Sequence, residues 1–126
     1  MMRNEYVKTI FCDIDGTLIK QVPFELLNEN EAEVLPGVYD KFKEWNGLGY
    51  CIVLTTARPE HLRNVTVKQL FNFNINYTQL VMGIGREERI LINNNSLDEP
   101  NEPRALSIAM SRNNGFENLN FESVGL

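Results

Sequence analysis

The sequence predicts an α/β fold with a mostly parallel, five-stranded sheet in one domain, residues 1–126. Helical spacing of apolar residues after the first and second strands indicates crossover helices, and strands joined in this way pair in parallel. A chain of 126 residues is long enough for one such core. The strands are predicted from short apolar runs at residues 7–13, 50–55, 80–82, 89–93 and 105–110.

The first half of the chain contains one strand, an irregular insertion and a helix. The run 7–13 is apolar enough for a strand buried on both faces. Residues 16–36 mix apolar and acidic side chains and predict a flap-like insertion or short hairpin, which we call the flap. A helix follows Pro36, with Val38, Phe42 and Trp45 at helical spacing, and glycines at 47 and 49 end it.

The second half begins with a buried strand and a loop at Thr56-Ala57-Arg58. Pro59 suits the first turn of a helix, which we expect to run to about residue 71. Its apolar residues, expected to face inward, are Leu62, Val67, Leu70 and Phe71. Residues 94–103 are polar with two prolines and predict a loop, and we expect an irregular tail after residue 112.

Composition excludes several classes of partner. The net charge is −5 and no run of Lys or Arg stands out, so we expect no nucleic acid or membrane partner. No apolar run approaches the ~20 residues of a membrane span. The N-terminus lacks the apolar region of a signal peptide, so we expect a cytoplasmic protein. Cys12 and Cys51 lie in apolar runs and are interpreted as buried thiols.

Four polar residues follow predicted strands: Asp13, Asp15, Thr56 and Asn94. Carboxyl ends of parallel strands share one edge of a sheet, so these side chains should converge there. Two carboxylates spaced by one residue repel unless a divalent cation such as Mg²⁺ lies between them. One carboxylate can attack phosphorus, and the other can protonate the leaving oxygen and later activate water.

A phosphate group would need donors and positive charge at the same edge. Thr56 offers a hydroxyl, and the amides of Ala57 and Arg58 precede a helix, where backbone N–H groups bind anions. The side chain of Arg58 or Arg86 can stabilise a phosphoryl group during transfer.

Three segments resemble motifs of the haloacid dehalogenase (HAD) superfamily of phosphohydrolases. DIDGT at 13–17 resembles its first motif, LTTAR at 54–58 its second and RILINN at 89–94 its fourth. Residues 82–113 are similar to small bacterial HAD phosphatases that accompany sugar-nucleotide and capsule genes. The resemblance implies a Rossmann-like three-layer sandwich. It also implies Asp13 as nucleophile, Asp15 as general acid/base with its carbonyl on Mg²⁺, and Thr56 on the phosphoryl group.

The remaining motif positions are less closely matched. The third motif needs a basic residue, for which Arg86 is the first choice and Lys68 the second. Asn94 stands where the family has an acidic metal ligand. Its amide oxygen can coordinate Mg²⁺ but brings no charge, so affinity should fall unless Asp98 or Glu99 reaches the site.

The spacing between the motifs leaves no room for a cap domain. An open site either takes a large substrate or is covered by a neighbouring subunit in a homo-oligomer. The resemblance implies a Mg²⁺-dependent phosphomonoester hydrolase with an aspartyl-phosphate intermediate, acting on a sugar phosphate or similar small metabolite. Two alternatives remain. One is a nucleic-acid 3′-phosphatase, which the missing basic stripe disfavours. The other is a phosphate- or metal-binding module with weakened turnover.

Overall fold

Three parallel strands form the sheet in the computed structural model, which describes residues 7–126. They are β1 (Thr9–Asp13), β2 (Cys51–Thr55) and β3 (Gln79–Val81), in the order β1-β2-β3. Asp13 lies opposite Thr55 in the register, and Thr55 lies opposite Val81. The three strands therefore end at one edge, which is where the predicted site residues were expected to meet.

Two α-helices provide the crossovers. Helix α1 spans Val38–Gly47 and α2 spans Arg63–Asn72, and a 3-10 turn at Glu60–Leu62 leads into α2. The predicted inward positions Val38, Phe42 and Trp45 of α1 are all buried. None of the helices within residues 7–126 is long and apolar enough to cross a bilayer.

Trp45 is the centre of an aromatic cluster on one side of the sheet. Its ring lies 5.4 Å from that of Phe42, 6.0 Å from Phe116 and 5.7 Å from Phe121. The tilted and edge-on arrangements are the geometries that aromatic pairs prefer. The tail after residue 112 is mostly irregular, as predicted. Through these two phenylalanines it nevertheless completes the core, and its residues Phe121–Val124 form a 3-10 turn.

The prediction of five strands is wrong for the described residues, because 89–93 and 105–110 form no strand. Ile90 and Ile92 are 82% and 95% exposed. The prediction of a first strand buried on both faces is also wrong, since Phe11 of β1 is 57% exposed. An apolar run indicates strand propensity, whereas a strand also needs a partner, and local sequence does not specify one.

The inward face of α2 differs from the prediction. Val67 and Phe71 are 38% and 79% exposed, whereas the helix buries Thr66, Gln69 and Leu70. Apolar periodicity failed here because two of the three buried side chains are polar. Their hydrogen bonds within the protein offset the cost of removing them from water.

The flap, residues 16–36, is a short irregular hairpin. Isolated bridges pair Ile19 with Val34 and Asn28 with Glu31. Helix α2 fastens it, since Gln69 Nε2 donates to the carbonyls of Asn28 and Glu31 at 3.3 and 3.2 Å. The flap therefore has a fixed attachment to the helix beside the sheet edge.

Candidate active site

A cavity of about 620 Å³ opens at the carboxyl end of β1. Such crevices beyond the carboxyl ends of strands are where open α/β sheets bind ligands. Residues from the end of β1 and the segment after it, the flap, the loop after β2 and the C-terminal third of the chain surround it. They are Asp13, Asp15, Gly16, Thr17, Gln21, Phe24, Ala57, Arg86, Arg89, Met110 and Arg112.

Asp13 is the last residue of β1 and is partly buried. The Thr17 hydroxyl donates to its Oδ2 at 3.1 Å. Burial raises the pKa of Asp13 above its ordinary value of 3.8, and the charge of Asp15 adds to this effect. The Thr17 hydrogen bond, the charge of Arg89 and the amide of Ile14 act in the opposite direction. A partly desolvated carboxylate at a cavity wall is a candidate nucleophile.

The raised pKa predicts that Asp13→Asn stabilises the fold at neutral pH. The folded state binds a proton at Asp13 more readily than the unfolded state, so above this raised pKa the ionised carboxylate lowers stability. The gain from the neutral amide should shrink as the pH falls through that pKa towards 3.8, where both states of the wild type are protonated. Urea unfolding of both proteins in metal-free buffer measures it. A pH-independent difference would contradict the linkage.

Asp15 is held by Arg58 in a buried ion pair. Arg58 Nη2 lies 2.8 Å from Oδ1 of Asp15, and Nε lies 3.0 Å from Oδ2. The guanidinium is fully buried and the Asp15 side chain is 11% exposed. The loop after β2 thus places a cation against the second aspartate of the DIDGT segment, in a two-point contact.

Helix α2 completes the coordination of Arg58. Its Nη1 donates to Thr66 Oγ1 at 3.0 Å and to Gln69 Oε1 at 2.8 Å. Thr56 Oγ1 accepts from the Arg58 amide at 3.0 Å and donates to Asp15 Oδ2 at 3.3 Å. This network explains why Thr66 and Gln69 are buried, and Thr56 and Arg58 point towards Asp15 instead of lining the cavity.

The other predicted residues divide into two groups. Ala57 and Arg86 line the cavity, and the Arg86 guanidinium lies 4.8 Å from the centre of the Phe24 ring. Lys68 is paired with Glu29 of the flap at 3.7 Å and does not line the cavity. Asn94 is exposed and lies outside the cavity lining. Asp98 and Glu99 are also exposed.

The sequence analysis missed the two cavity arginines Arg89 and Arg112, as well as the uncharged lining residues Gln21, Phe24 and Met110. Arg89 lies within the RILINN segment, but assigning that segment to a strand drew attention to its end at Asn94. No sequence signal singles out Arg112. The residues before it form no helix or strand, so no pattern of local structure predicts where its side chain lies.

The oxygen atoms that the site offers to Mg²⁺ are few, but they are of the kind that this ion binds. The carboxylate of Asp13 is available, and no hydrogen bond within residues 7–126 reaches the main-chain carbonyl of Asp15. Mg²⁺ commonly uses one or two protein carboxylates, with waters and substrate phosphate as the other ligands. The Asp15 side chain is engaged by Arg58, and the described residues hold no group of three metal-binding side chains. Binding should therefore be weak without a phosphate ligand.

Comparison with known proteins assigns the family. The sequence model for the LNS2 domain, described as PITM 1-3, matches residues 10–97, more than half of the chain. The chain belongs to the LNS2 domain family. This match supports a phosphatase-type domain with a HAD-like fold, which confirms the superfamily resemblance. The sugar-phosphate and capsule-associated type stays a prediction.

Solved structures share the fold at low identity. A chain of the Pnkp1/Rnl/Hen1 complex is 22% identical, with a TM-score of 0.55 over 71% of this chain and 33% of the other. A second structure, of the Pnkp1/Rnl/Hen1 RNA repair complex, is also 22% identical, with a TM-score of 0.52 over 71% of this chain and 30% of the other. The chain thus matches about a third of the length of these relatives. A structure from Vibrio cholerae is 17% identical, with a TM-score of 0.50 over 69% of this chain and 80% of the other. A search of curated proteins gave no significant match.

Proposed function

We propose that this domain hydrolyses phosphomonoesters and that Asp13 is its nucleophile. The observation that carries the proposal is the position of Asp13 at the cavity wall. Within residues 7–126 no arginine holds this lining carboxylate in a salt bridge, whereas Asp15 is held by Arg58. The substrates that we infer are small phosphorylated metabolites such as sugar phosphates, which a cavity of about 620 Å³ can hold.

The reaction has two displacements at phosphorus. An oxygen of Asp13 bonds to phosphorus while the bond to the ester oxygen breaks. The ester oxygen takes a proton from Asp15 and leaves as an alcohol, and an aspartyl-phosphate remains. Water then bonds to phosphorus, the Asp13–phosphorus bond breaks, and inorganic phosphate leaves. Arg89 and Arg112 line the same cavity and would stabilise the negative charge on the phosphoryl oxygens.

Asp15 is the general acid/base that the family resemblance implies. The contact with Arg58 occupies both of its oxygens, so proton exchange with the ester oxygen or with water requires that contact to open. Substrate binding would favour such an opening if Arg58 gained a phosphoryl oxygen as its new partner. In the arrangement described here, Arg58 positions Asp15 and does not reach the cavity.

Mg²⁺ is part of the proposal on the strength of the donor set. The Asp13 carboxylate and the Asp15 carbonyl would hold it, and it would neutralise phosphoryl charge when bound. The exposed position of Asn94 means that an Asn94→Asp variant should leave the Mg²⁺ dependence of the rate unchanged. A large gain in Mg²⁺ affinity in this variant would show that residue 94 reaches the metal.

The test is hydrolysis of an aryl phosphate with Mg²⁺ and with a chelator, followed by trapping. Borohydride reduces an aspartyl-phosphate to homoserine, and mass spectrometry locates that residue. We expect phosphate release that needs Mg²⁺, and homoserine at position 13. Turnover with no trapped residue, or with trapping at another position, would contradict the assignment of Asp13.

A module that binds phosphate with weak turnover is the second candidate, since the described residues lack a third metal-binding carboxylate at the site. It would bind phosphate in the same cavity and release no product from a broad panel of phosphomonoesters. A nucleic-acid 3′-phosphatase is not favoured, because the net charge is −5 and the sequence has no basic stripe.

A further inference from the structure

The cavity contains more positive charge than its carboxylates balance. Arg86, Arg89 and Arg112 line it, and within residues 7–126 none of the three forms a salt bridge. Asp15 is already offset by Arg58, so Asp13 is the lining carboxylate left to face them. A cavity wall with this excess attracts anions and raises their local concentration.

The three arginines occupy different parts of the wall. Arg89 lines the same cavity as Asp13, and its charge acts to lower the pKa of that carboxyl. Arg112 packs beside Gly16: a Cβ atom added to that glycine would lie 2.9 Å from Arg112 Cγ. Arg86 instead lies over the ring of Phe24, in the flap. Arg112 is therefore next to the Asp13–Gly16 segment and the charge of Arg89 acts on it, whereas Arg86 is on the flap side.

A second cavity, of about 250 Å³, adjoins the first at Arg86. It is lined by Arg86 and by residues 21–24 of the flap, and Arg86 is the only charged residue among these five. Gln21, Phe24 and Arg86 line both cavities. A ligand whose phosphoryl group lies at Asp13 can therefore extend past Arg86 into a space that holds a small group.

Arg86 has its donors available for such a group. The contact with Phe24 is a cation–π contact, and within residues 7–126 no salt bridge engages the Arg86 guanidinium. A guanidinium binds a phosphate or a carboxylate through two parallel hydrogen bonds, which gives both affinity and orientation. A neutral sugar hydroxyl would gain much less from the same position.

We propose that the substrate carries a second anionic group, a phosphate or a carboxylate, which Arg86 binds in the adjoining cavity while the phosphoryl group meets Asp13. This inference rests on the proposed function of the same site. It assigns Arg86 to substrate selection and leaves the phosphoryl group to Arg89 and Arg112. The flap then contributes to specificity, because Phe24 positions the Arg86 guanidinium.

Binding measured without turnover tests the inference. The Asp13→Asn protein is titrated with two matched pairs: fructose 6-phosphate against fructose 1,6-bisphosphate, and glycerol 3-phosphate against 3-phosphoglycerate. We expect the second member of at least one pair to bind about tenfold or more tightly. The sugar pair reports a phosphate as the second group, and the glycerol pair reports a carboxylate.

Three added substitutions separate the roles of the arginines. Arg86→Gln should abolish the preference within a pair, whereas Arg89→Gln should weaken both members alike. Arg104→Gln is the matched control, because Arg104 is exposed and lies outside both cavity linings. It should leave binding unchanged. A missing preference, or one that survives Arg86→Gln, would overturn the inference.

The outcomes distinguish this inference from the hydrolase itself. A preference that depends on Arg86, in a protein whose wild type releases no phosphate, would support the second anion site and contradict the proposed function. Hydrolysis by the wild type, with no preference for the second member of either pair, would support the proposed function and overturn the second anion site. Displacement of the bisphosphate by a much lower concentration of a 3′-phosphorylated oligonucleotide would overturn the assignment to a small substrate.

Discussion

Replacing Asp13 by asparagine should reduce the turnover of a phosphomonoester by about a thousandfold or more while the protein stays folded. The amide keeps the shape of the carboxylate and can still accept the Thr17 hydrogen bond. It lacks the anionic oxygen that forms the bond to phosphorus, so no aspartyl-phosphate can form. The expected change is therefore in kcat, with a much smaller change in KM.

The control for this experiment is Asp40→Asn. Asp40 is an exposed carboxylate in the first turn of α1, outside the cavity lining, so the same chemical change there should leave turnover unaltered. Stability separates a lost nucleophile from a damaged fold, because Asp13→Asn should be the more stable protein at neutral pH. Residual turnover close to that of the wild type would exclude Asp13 as the nucleophile.

The sequence predicted the part of the site that depends on strand ends. Asp13 ends β1, Asp15 lies just beyond it and Thr56 follows β2, and parallel pairing brings the two strand ends together whatever the rest of the sheet does. These residues could be placed from local pattern alone, because the apolar runs and the parallel register determine their position. Helical spacing of apolar residues, which is also a local pattern, correctly predicted the buried residues of α1.

The rest of the site depends on contacts that no local pattern encodes. Asn94 was placed by assuming a fourth strand, and without that strand the residue is exposed. Arg112 reaches the cavity from the irregular segment that precedes the C-terminal tail. Arg58 was predicted to add positive charge for a phosphoryl group, whereas in the structure its guanidinium pairs with Asp15. Its position after β2 fits either role, and only the buried partners on α2 distinguish them.

Removing the charge of Arg58 should cost about 3–5 kcal/mol of folding free energy, because Asp15 would be left ionised and nearly buried without its partner. The Arg58→Met variant keeps an unbranched apolar stem, ends short of the guanidinium position and loses the donors to Asp15, Thr66 and Gln69. Urea unfolding monitored by Trp45 fluorescence gives the change, provided that the slope of the transition is the same in both proteins.

Arg63 supplies the matched control. It contacts Glu60 at 2.8 Å, the same separation as in the Arg58–Asp15 pair. The side chains of that surface pair are 42% and 62% exposed, so water screens the charges and resolvates either one when its partner is lost. Arg63→Met should therefore leave stability nearly unchanged. The contrast attributes the cost of Arg58→Met to burial, since the separation is equal in the two pairs.

The double variant Arg58→Met with Asp15→Asn tests the electrostatic cause directly. If the cost of Arg58→Met comes from an uncompensated charge, removing that charge as well should recover most of the lost stability, although the hydrogen bonds to α2 stay broken. A double variant as unstable as Arg58→Met would instead assign the cost to Thr66 and Gln69, which lose a buried partner. Recovery would show that the Arg58 guanidinium stabilises the fold mainly by compensating the buried carboxylate of Asp15.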